Sequence, residues 1–156
     1  MRQLNKIYRE QIVVSNIEIV WKFFSDPRNL SKITPEYLNF RILTKDLPSE
    51  IFHGLIIEYK VSPFLNIDFH WITEITALKK NEYFIDEQRF GPYKFWHHLH
   101  TFEVVDENRV KIVDLVHYLL PLGIAGRLMN SVMIRRRLNH IFDYRAKVIA
   151  NLFNQF

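Results

Sequence analysis

The chain has no cysteine and only four glycines among its 156 residues. The absence of cysteine excludes disulfides, cysteine-ligated zinc, iron–sulfur clusters and thiol catalysis. The glycines are widely scattered, so the sequence contains neither a phosphate-cradling loop nor a dinucleotide-binding turn. It also contains no serine-nucleophile motif. These absences exclude several classes of enzyme and any nucleotide chemistry that depends on a glycine-rich loop.

Long apolar runs are missing as well. No segment approaches the roughly 18 consecutive apolar residues that cross a bilayer. The first residues, MRQLNKIYREQIVV, contain no continuous apolar stretch of the kind found in a signal peptide. We therefore expect a cytoplasmic protein. Because there is no internal repeat, low-complexity tract or Gly/Ser linker, a single domain over residues 1–156 is predicted.

Aromatic residues and basic residues are what the chain has in quantity. Aromatics make up 15% of it, with 13 Phe, 7 Tyr and 3 Trp, enough to fill a thick core or to line a cavity. The net charge is +4 and is concentrated in residues 124–156. This basic segment is typical of a solvated helix face, and weak contact with an anionic membrane is the alternative. Nucleic-acid binding would depend on Arg135-Arg136-Arg137 alone, so none is expected.

The first third of the chain reads as one strand followed by two short helices. Residues 7–14 alternate like a strand. Ser15-Asn16-Ile17-Glu18 matches a capping box, which predicts a helix capped by Ser15. Asp26-Pro27 predicts a second short helix, capped by Asp26, that ends before Pro35.

Strands in close succession follow, and a long helix ends the chain. Strands are predicted over residues 37–43, 55–61, 66–78, 83–90, 94–105 and 109–119, and Ser62-Pro63 is predicted to end the second of these. A helix over residues 124–153 carries an apolar stripe of Leu128, Val132, Leu138, Phe142, Ile149, Leu152 and Phe156. Short turns between strands favour an antiparallel sheet, and segregated helices make the class α+β. A curved sheet wrapped around the last helix leaves room for a cavity.

The stretch from Asp86 to Phe102 places polar groups where a core would normally be apolar. After the Gly91-Pro92 turn, alternation puts His98 and His100 on one face, between Trp96 and Phe102. On the last strand, Asp114 interrupts an apolar row. Because a buried carboxylate without a partner is costly, Asp114 should pair with one of these histidines. We predict a buried network of Asp86, Gln88, His98, His100 and Asp114 along one wall of the cavity, with His97 and His117 on the opposite face.

Three interpretations of this network stay open. It could be a satisfied polar cluster that sets strand register. It could orient the polar end of a mostly apolar ligand. It could also carry chemistry, with His98, His100 and Asp114 as candidate catalytic residues for acid–base work, or hold iron or zinc if the two rings converge. No cofactor or metal is assigned.

Several segments together resemble a known superfamily over nearly the whole chain. They are Ile17-Glu18-Ile19-Val20-Trp21 with Phe23-Phe24, Asn29-Leu30, Ile33-Thr34-Pro35, Trp71, Phe84, Asp86, Gln88, Gly91-Pro92-Tyr93, the run Trp96 to Phe102, and Asp114 to Tyr118 before Leu120-Pro121. The chain resembles the SRPBCC superfamily, which includes START lipid-transfer domains, birch-pollen-allergen-like proteins and polyketide cyclase-like proteins. It looks closest to a bacterial ligand-binding subgroup.

The resemblance implies a helix-grip fold, with a seven-stranded antiparallel sheet around the last helix and a hydrophobic cavity between them. It also implies binding of an apolar or amphipathic small molecule, lipid-like or polyketide-like. A cyclase or dehydratase activity in the same cavity is the alternative, and peripheral lipid handling is a further one. The predicted ligand-binding residues are Trp71, Phe84, Asp86, Gln88, Trp96, His98, His100, Phe102, Asp114, Tyr118 and Phe142.

Overall fold

The computed structural model describes residues 4–64, 67–120 and 133–154. Its strands are β1 (Asn5–Val14), β2 (Arg41–Ile42), β3 (Ile56–Phe64), β4 (Ile67–Lys79), β5 (Tyr83–Phe90), β6 (Phe95–Asp106) and β7 (Arg109–Leu119). The helices are α1 (Ile17–Ser25), two 3₁₀ helices (Pro27–Ile33 and Glu36–Leu38) and α2 (Arg135–Phe153). No helix within these ranges is long and apolar enough to cross a membrane.

The strands form one seven-stranded sheet in the order β1-β7-β6-β5-β4-β3-β2, and every neighbouring pair is antiparallel. Hairpins therefore join β3 through β7 in succession, and β1 completes the sheet beside β7. Irregularities in register occur in the β3–β4 and β4–β5 pairs, and such bulges bend a sheet locally. This curved sheet with a helix at its carboxyl end is the α+β helix-grip architecture, which confirms the predicted fold class.

Helix α1 begins one residue later than the capping-box pattern predicts. The N-cap residue is Asn16. Its backbone is extended rather than helical, and its side-chain oxygen accepts a hydrogen bond from the Ile19 amide at 2.9 Å. The prediction that Ser15 caps the helix is wrong. Asparagine caps a helix as well as serine does, and Asn16 is the residue whose side chain reaches the amide of the third helical residue. Asp26 does cap the next helix, accepting from the Arg28 amide, although that helix is 3₁₀.

Two of the predicted strands differ from those observed. The strand expected over residues 37–43 is reduced to Arg41–Ile42, because a 3₁₀ turn occupies Glu36–Leu38 and Asn39 takes a left-handed conformation. Ser62-Pro63 does not end β3. The strand continues to Phe64 through a shift in register after Val61, which accommodates a proline because bulged residues are released from the hydrogen-bond ladder.

Helix α2 is described from Arg135 onward, and the predicted positions Leu128, Val132 and Phe156 lie outside the described residues. The helix buries Leu138, Phe142, Arg145, Ile149 and Phe153. Leu152, which was predicted to lie on the inner stripe, is exposed, and Phe153 takes its place.

Two apolar clusters fill the space between sheet and helices. One is centred on Trp21, Phe84 and Phe102, with Ile149 and Phe153 of α2. The other contains Tyr93, Trp96 and Tyr118 of the sheet, with Leu138 and Phe142 of α2. On β6 the order Trp96, His98, His100, Phe102 runs from one cluster to the other, and all four side chains are buried. The histidines therefore lie between two apolar clusters.

Candidate functional site

A cavity of about 210 Å³ lies between the sheet, the first 3₁₀ helix and α2. Its wall is mainly aromatic and aliphatic: the sheet supplies Ile57, Tyr59 and Ile75, and the 3₁₀ helices supply Leu30, Ile33 and Leu38. The polar side chains deepest in the sheet wall, Asp86, His98 and His100, lie close together, with Arg145 of α2 beside them. The cavity is therefore mainly apolar, with a charged cluster in its sheet wall.

Seven of the predicted binding residues line this cavity: Trp71, Phe84, Asp86, Trp96, His98, His100 and Phe142. The other four, Gln88, Phe102, Asp114 and Tyr118, are not part of its wall. Phe102 and Tyr118 are core residues of the two apolar clusters. Asp114 lies on β7, one strand further from the cavity, and is connected to it through its contacts with His98, His100 and Arg145.

Asp86, His98, Asp114 and His100 form a closed ring of contacts across three adjacent strands, which we term the His–Asp ring. His98 Nε2 and His100 Nδ1 each lie 2.9 Å from Asp114 Oδ1. His100 Nε2 lies 2.8 Å from Asp86 Oδ2, and His98 Nδ1 lies 3.5 Å from the same oxygen. The two imidazoles converge, with centroids 3.7 Å apart. The ring confirms the predicted burial of both histidines, which are 4% and 3% exposed.

The distances assign different roles to the two histidines. Both nitrogens of His100 are at hydrogen-bond distance from a carboxylate oxygen, so the ring donates twice only when it is an imidazolium. His98 has one short contact, to Asp114, and one long contact, to Asp86. A neutral His98 that carries its proton on Nε2 satisfies this geometry.

Arg145 is the member that reasoning from the sequence missed. Its Nη2 lies 3.4 Å from Asp114 Oδ1 and 3.4 Å from His100 Nδ1. Because His100 Nδ1 already donates to Asp114, the guanidinium pairs with the carboxylate. Arg145 is 8% exposed, and its guanidinium carbon Cζ lies 5.6 Å from the centroid of the Phe24 ring. The signal was present in the sequence: Arg145 falls between Phe142 and Ile149 at the spacing of the buried stripe, but its charge placed it on the solvated face.

Burial and ion pairing shift the pKa values of the two carboxyl groups, Asp114 and Asp86, in opposite directions. Burial alone would raise the pKa of Asp114, but Arg145 and the two histidines outweigh it and hold that pKa well below its ordinary value. Burial likewise opposes ionisation of Asp86, and the charges of His98 and His100 bring its pKa below the ordinary value. Both residues are therefore carboxylates at neutral pH.

The pKa values of the two histidines, His98 and His100, shift in opposite directions. Burial, together with the charge of the neighbouring His100, lowers the pKa of His98 to about 4. Burial also works against the charged form of His100, but its hydrogen bonds to Asp114 and Asp86 outweigh this and raise its pKa. When His100 is the imidazolium that its two carboxylate contacts require and His98 is neutral, the two carboxylates, the imidazolium and the guanidinium leave the cluster without net charge.

Gln88 does not join the network, contrary to prediction. Its amide donates to the Tyr93 carbonyl at 2.6 Å and accepts from the Tyr93 amide at 3.2 Å, across the Gly91-Pro92 turn. Backbone pairing between β5 and β6 stops at Glu87 and His97, so the side chain replaces the ladder there. Gly91 is needed beside it, because a Cβ at that position would lie 2.6 Å from Gln88 Oε1.

Aromatic side chains hold the histidine rings in place. Phe84 stacks on His100 with centroids 4.1 Å apart. Trp96 and Phe142 meet His98 edge to face at 6.3 and 5.6 Å. His97 and His117 pair with each other across β6 and β7 on the opposite face, as predicted.

Asp86, His98 and His100 bring ligand-type atoms within 4.8 Å of one another. The same nitrogens and carboxylate oxygens already face one another as donors and acceptors in the His–Asp ring. Arg145 adds a fixed positive charge at 3.4 Å from Asp114, which opposes a divalent cation. The chemistry of these residues therefore fits a hydrogen-bonded cluster better than a metal site.

Comparison with known proteins gives no match to a family model and none to a curated protein sequence. Solved structures do match along almost the full chain. A protein of Chromobacterium violaceum aligns with a TM-score of 0.72 at 16% identity, covering 97% of this chain and 99% of its own. The Zhui aromatase/cyclase of Streptomyces aligns with 0.67 at 12% identity, covering 94% of each chain. A START superfamily protein of Mycobacterium smegmatis aligns with 0.63 at 11% identity, covering 96% and 97%.

At these identities the similarity concerns the fold alone. The matched structures and the curved seven-stranded sheet with its carboxyl-terminal helix agree with the expectation drawn from the sequence. This chain has the helix-grip fold of the SRPBCC superfamily.

Proposed function

We propose that the protein binds an apolar or amphipathic small molecule in the cavity between the sheet and α2. The observation that carries this proposal is the cavity itself: about 210 Å³ lined mainly by aromatic and aliphatic side chains, with a charged cluster in its sheet wall. An apolar cavity of about 150 Å³ in another protein accepts benzene, so this one has room for a molecule of one or two rings. Apolar wall residues supply the affinity and the charged cluster supplies the orientation.

Naphthalene is a suitable probe, because it has no polar group and tests the apolar part of the cavity alone. Isothermal titration calorimetry, with protein titrated into naphthalene, should give saturable binding at one site. Ile57→Trp should abolish it, since Ile57 is buried on the cavity side of β3 and a larger side chain fills the space.

Ile56→Trp is the matched control. Ile56 is the preceding residue of the same strand and is 45% exposed on the other face, so this variant should bind like the wild type. Equal binding by both variants, or no binding by the wild type, would refute the proposal. Circular dichroism establishes that each variant is folded.

Acid–base catalysis of the cyclase or dehydratase type is the second candidate. It is favoured by a neutral His98 that lines the cavity and whose Nδ1 makes the longest contact of the His–Asp ring, 3.5 Å to Asp86. That nitrogen is the best placed to take a proton from a bound molecule. Asp114, another candidate catalytic residue, would act by positioning the histidines, since it does not reach the cavity.

Native mass spectrometry of purified protein separates the two functions. A binding protein should retain the same compound whether or not His98 is present. If His98→Gln retains a compound whose mass differs from that held by the wild type by the elements of water, conversion is supported and simple binding is not.

Contact of the last helix with an anionic membrane stays a prediction. Arg135 and Arg136 are exposed there, whereas Arg145 is buried in the site.

A further inference from the structure

Arg145 has more hydrogen-bonding capacity than the protein uses. Its Nη2 lies 3.4 Å from Asp114 Oδ1, which is long for a charged hydrogen bond, and the His100 Nδ1 at the same distance is itself a donor when His100 is an imidazolium. Its Nε is buried and has no hydrogen-bond partner among the described residues. A buried donor without a partner is costly and uncommon. A guanidinium held in this way at the wall of a cavity is suited to an incoming acceptor.

The charge balance of the site determines whether a proton is taken up when that acceptor is an anion. The His–Asp ring and Arg145 together are neutral when one histidine is charged. An added carboxylate would leave one uncompensated negative charge beside these buried groups, where charge interactions are stronger than in bulk water. A second proton on the histidine pair restores neutrality, and His98 is the ring that is neutral at rest.

The groups around His98 allow this protonation once an anion is present. Asp86 of β5 and Asp114 of β7 face its two nitrogens. Burial, together with the positive charge of His100 on the same face of β6, keeps His98 neutral at rest. Tyr59 of β3 lies close to Asp86, and burial and the Asp86 carboxylate raise the pKa of Tyr59, so it stays uncharged.

From this geometry we infer that the ligand carries a carboxylate or a similar monoanionic oxygen group that accepts a hydrogen bond from Arg145. We further infer that its binding draws one proton from solvent onto His98. The inference rests on the proposed function, because it names the chemical class of the ligand that the same cavity would hold. Neutral apolar molecules would occupy the cavity without proton uptake.

A pair of probes with the same ring system tests this: 2-naphthoate, which is ionised at pH 7, and the neutral 2-naphthamide. The wild type should bind naphthoate more tightly by about tenfold, the low end for a hydrogen bond between charged groups. Arg145→Met should remove the preference for naphthoate over naphthamide, because the donor that distinguishes the two probes is gone. Arg145→Lys, which keeps the charge, should retain part of the preference.

Calorimetry of the wild type in phosphate and in Tris provides a second measurement that needs no variant. The two buffers differ in ionisation enthalpy, so the difference in binding heat counts the protons taken up. We expect close to one proton per naphthoate and none per naphthamide. Equal affinity for the two probes, or no proton uptake with naphthoate, would overturn the inference while leaving the proposed function intact. Absence of binding by both probes would overturn both.

Discussion

Asp114 receives three polar contacts at one oxygen, from His98, His100 and Arg145. Each partner comes from a different position along β6 or α2, and none of them reaches bulk water to any extent. At the residue scale, each buried charge of this site is therefore stabilised only by the opposite charges that lie beside it. Removal of one member leaves the others with an uncompensated charge in the interior.

Asp114→Asn should lower the free energy of unfolding at pH 7 by about 3–5 kcal/mol, because Arg145 and His100 lose their shared counter-charge. Urea denaturation measures the change. Asp106→Asn is the control: it removes a carboxylate from the exposed ion pair with Arg109, and exposed pairs contribute less than about 1 kcal/mol. If the two variants unfold at the same urea concentration, the buried network does not stabilise the fold.

The stability provided by His100 should depend on pH with a definite sign. Its pKa is raised in the folded protein, so its contribution is fully present below the unfolded value of about 6.5 and is lost as the pH rises through the folded value. The difference in unfolding free energy between wild type and His100→Gln should therefore be larger at pH 6 than at pH 8.5. His53→Gln, which removes a histidine at an exposed turn, is the matched control variant. A constant difference for His100→Gln would contradict the assignment of His100 as the imidazolium.

His98 should act in the opposite direction. Its pKa in the folded protein is lowered to about 4, so its contribution is present above about 6.5 and is lost as the pH falls toward 4. The same titration of wild type against His98→Gln should show wild type losing relative stability between pH 6.5 and pH 4.5. A relative gain over that range would mean that His98, rather than His100, carries the charge.

At the element scale, α1 and α2 show what pattern reasoning can recover. The period of three to four residues predicts both helices, and the buried stripe of α2 is confirmed at Leu138, Phe142 and Ile149. Arg145 was misplaced because the rule that charged residues face solvent competes with the spacing, and only tertiary contacts decide between them. The prediction for Gln88 is wrong for a different reason. By alternation Gln88 shares a face of β5 with Asp86, but the backbone pairing of β5 with β6 ends just before it, and its side chain bonds to the backbone of Tyr93 instead.

The cap of α1 gives a prediction at this scale. Asn16→Ala should destabilise the protein by about 1 kcal/mol, because the Ile19 amide loses its acceptor. Ser15→Ala should leave the urea midpoint unchanged, since the Asn16 side chain provides the cap. A larger loss for Ser15→Ala than for Asn16→Ala would restore the capping box that the sequence pattern indicated.

At the scale of the whole molecule, local patterns predict most of the sheet. The strands at Tyr83–Phe90 and Arg109–Leu119 coincide with those predicted from alternation and turn residues. The pairing of β1 with β7 cannot be derived in this way, because no short turn joins them. The cavity is likewise a property of the assembled sheet, bulges and helices, and no single segment encodes its volume.

The position of β1 also bears on the speed of folding. Asn5 pairs with Tyr118 and Val14 with Arg109, so these contacts bridge most of the chain and raise its contact order. The loop-closure entropy of such distant pairing is lost before the contacts compensate it. Refolding from urea, followed by tryptophan fluorescence, should therefore take milliseconds to seconds, as in other domains dominated by non-local strand pairs. A microsecond phase that restores the full native signal would show instead that β1 is not required for the rate-limiting step.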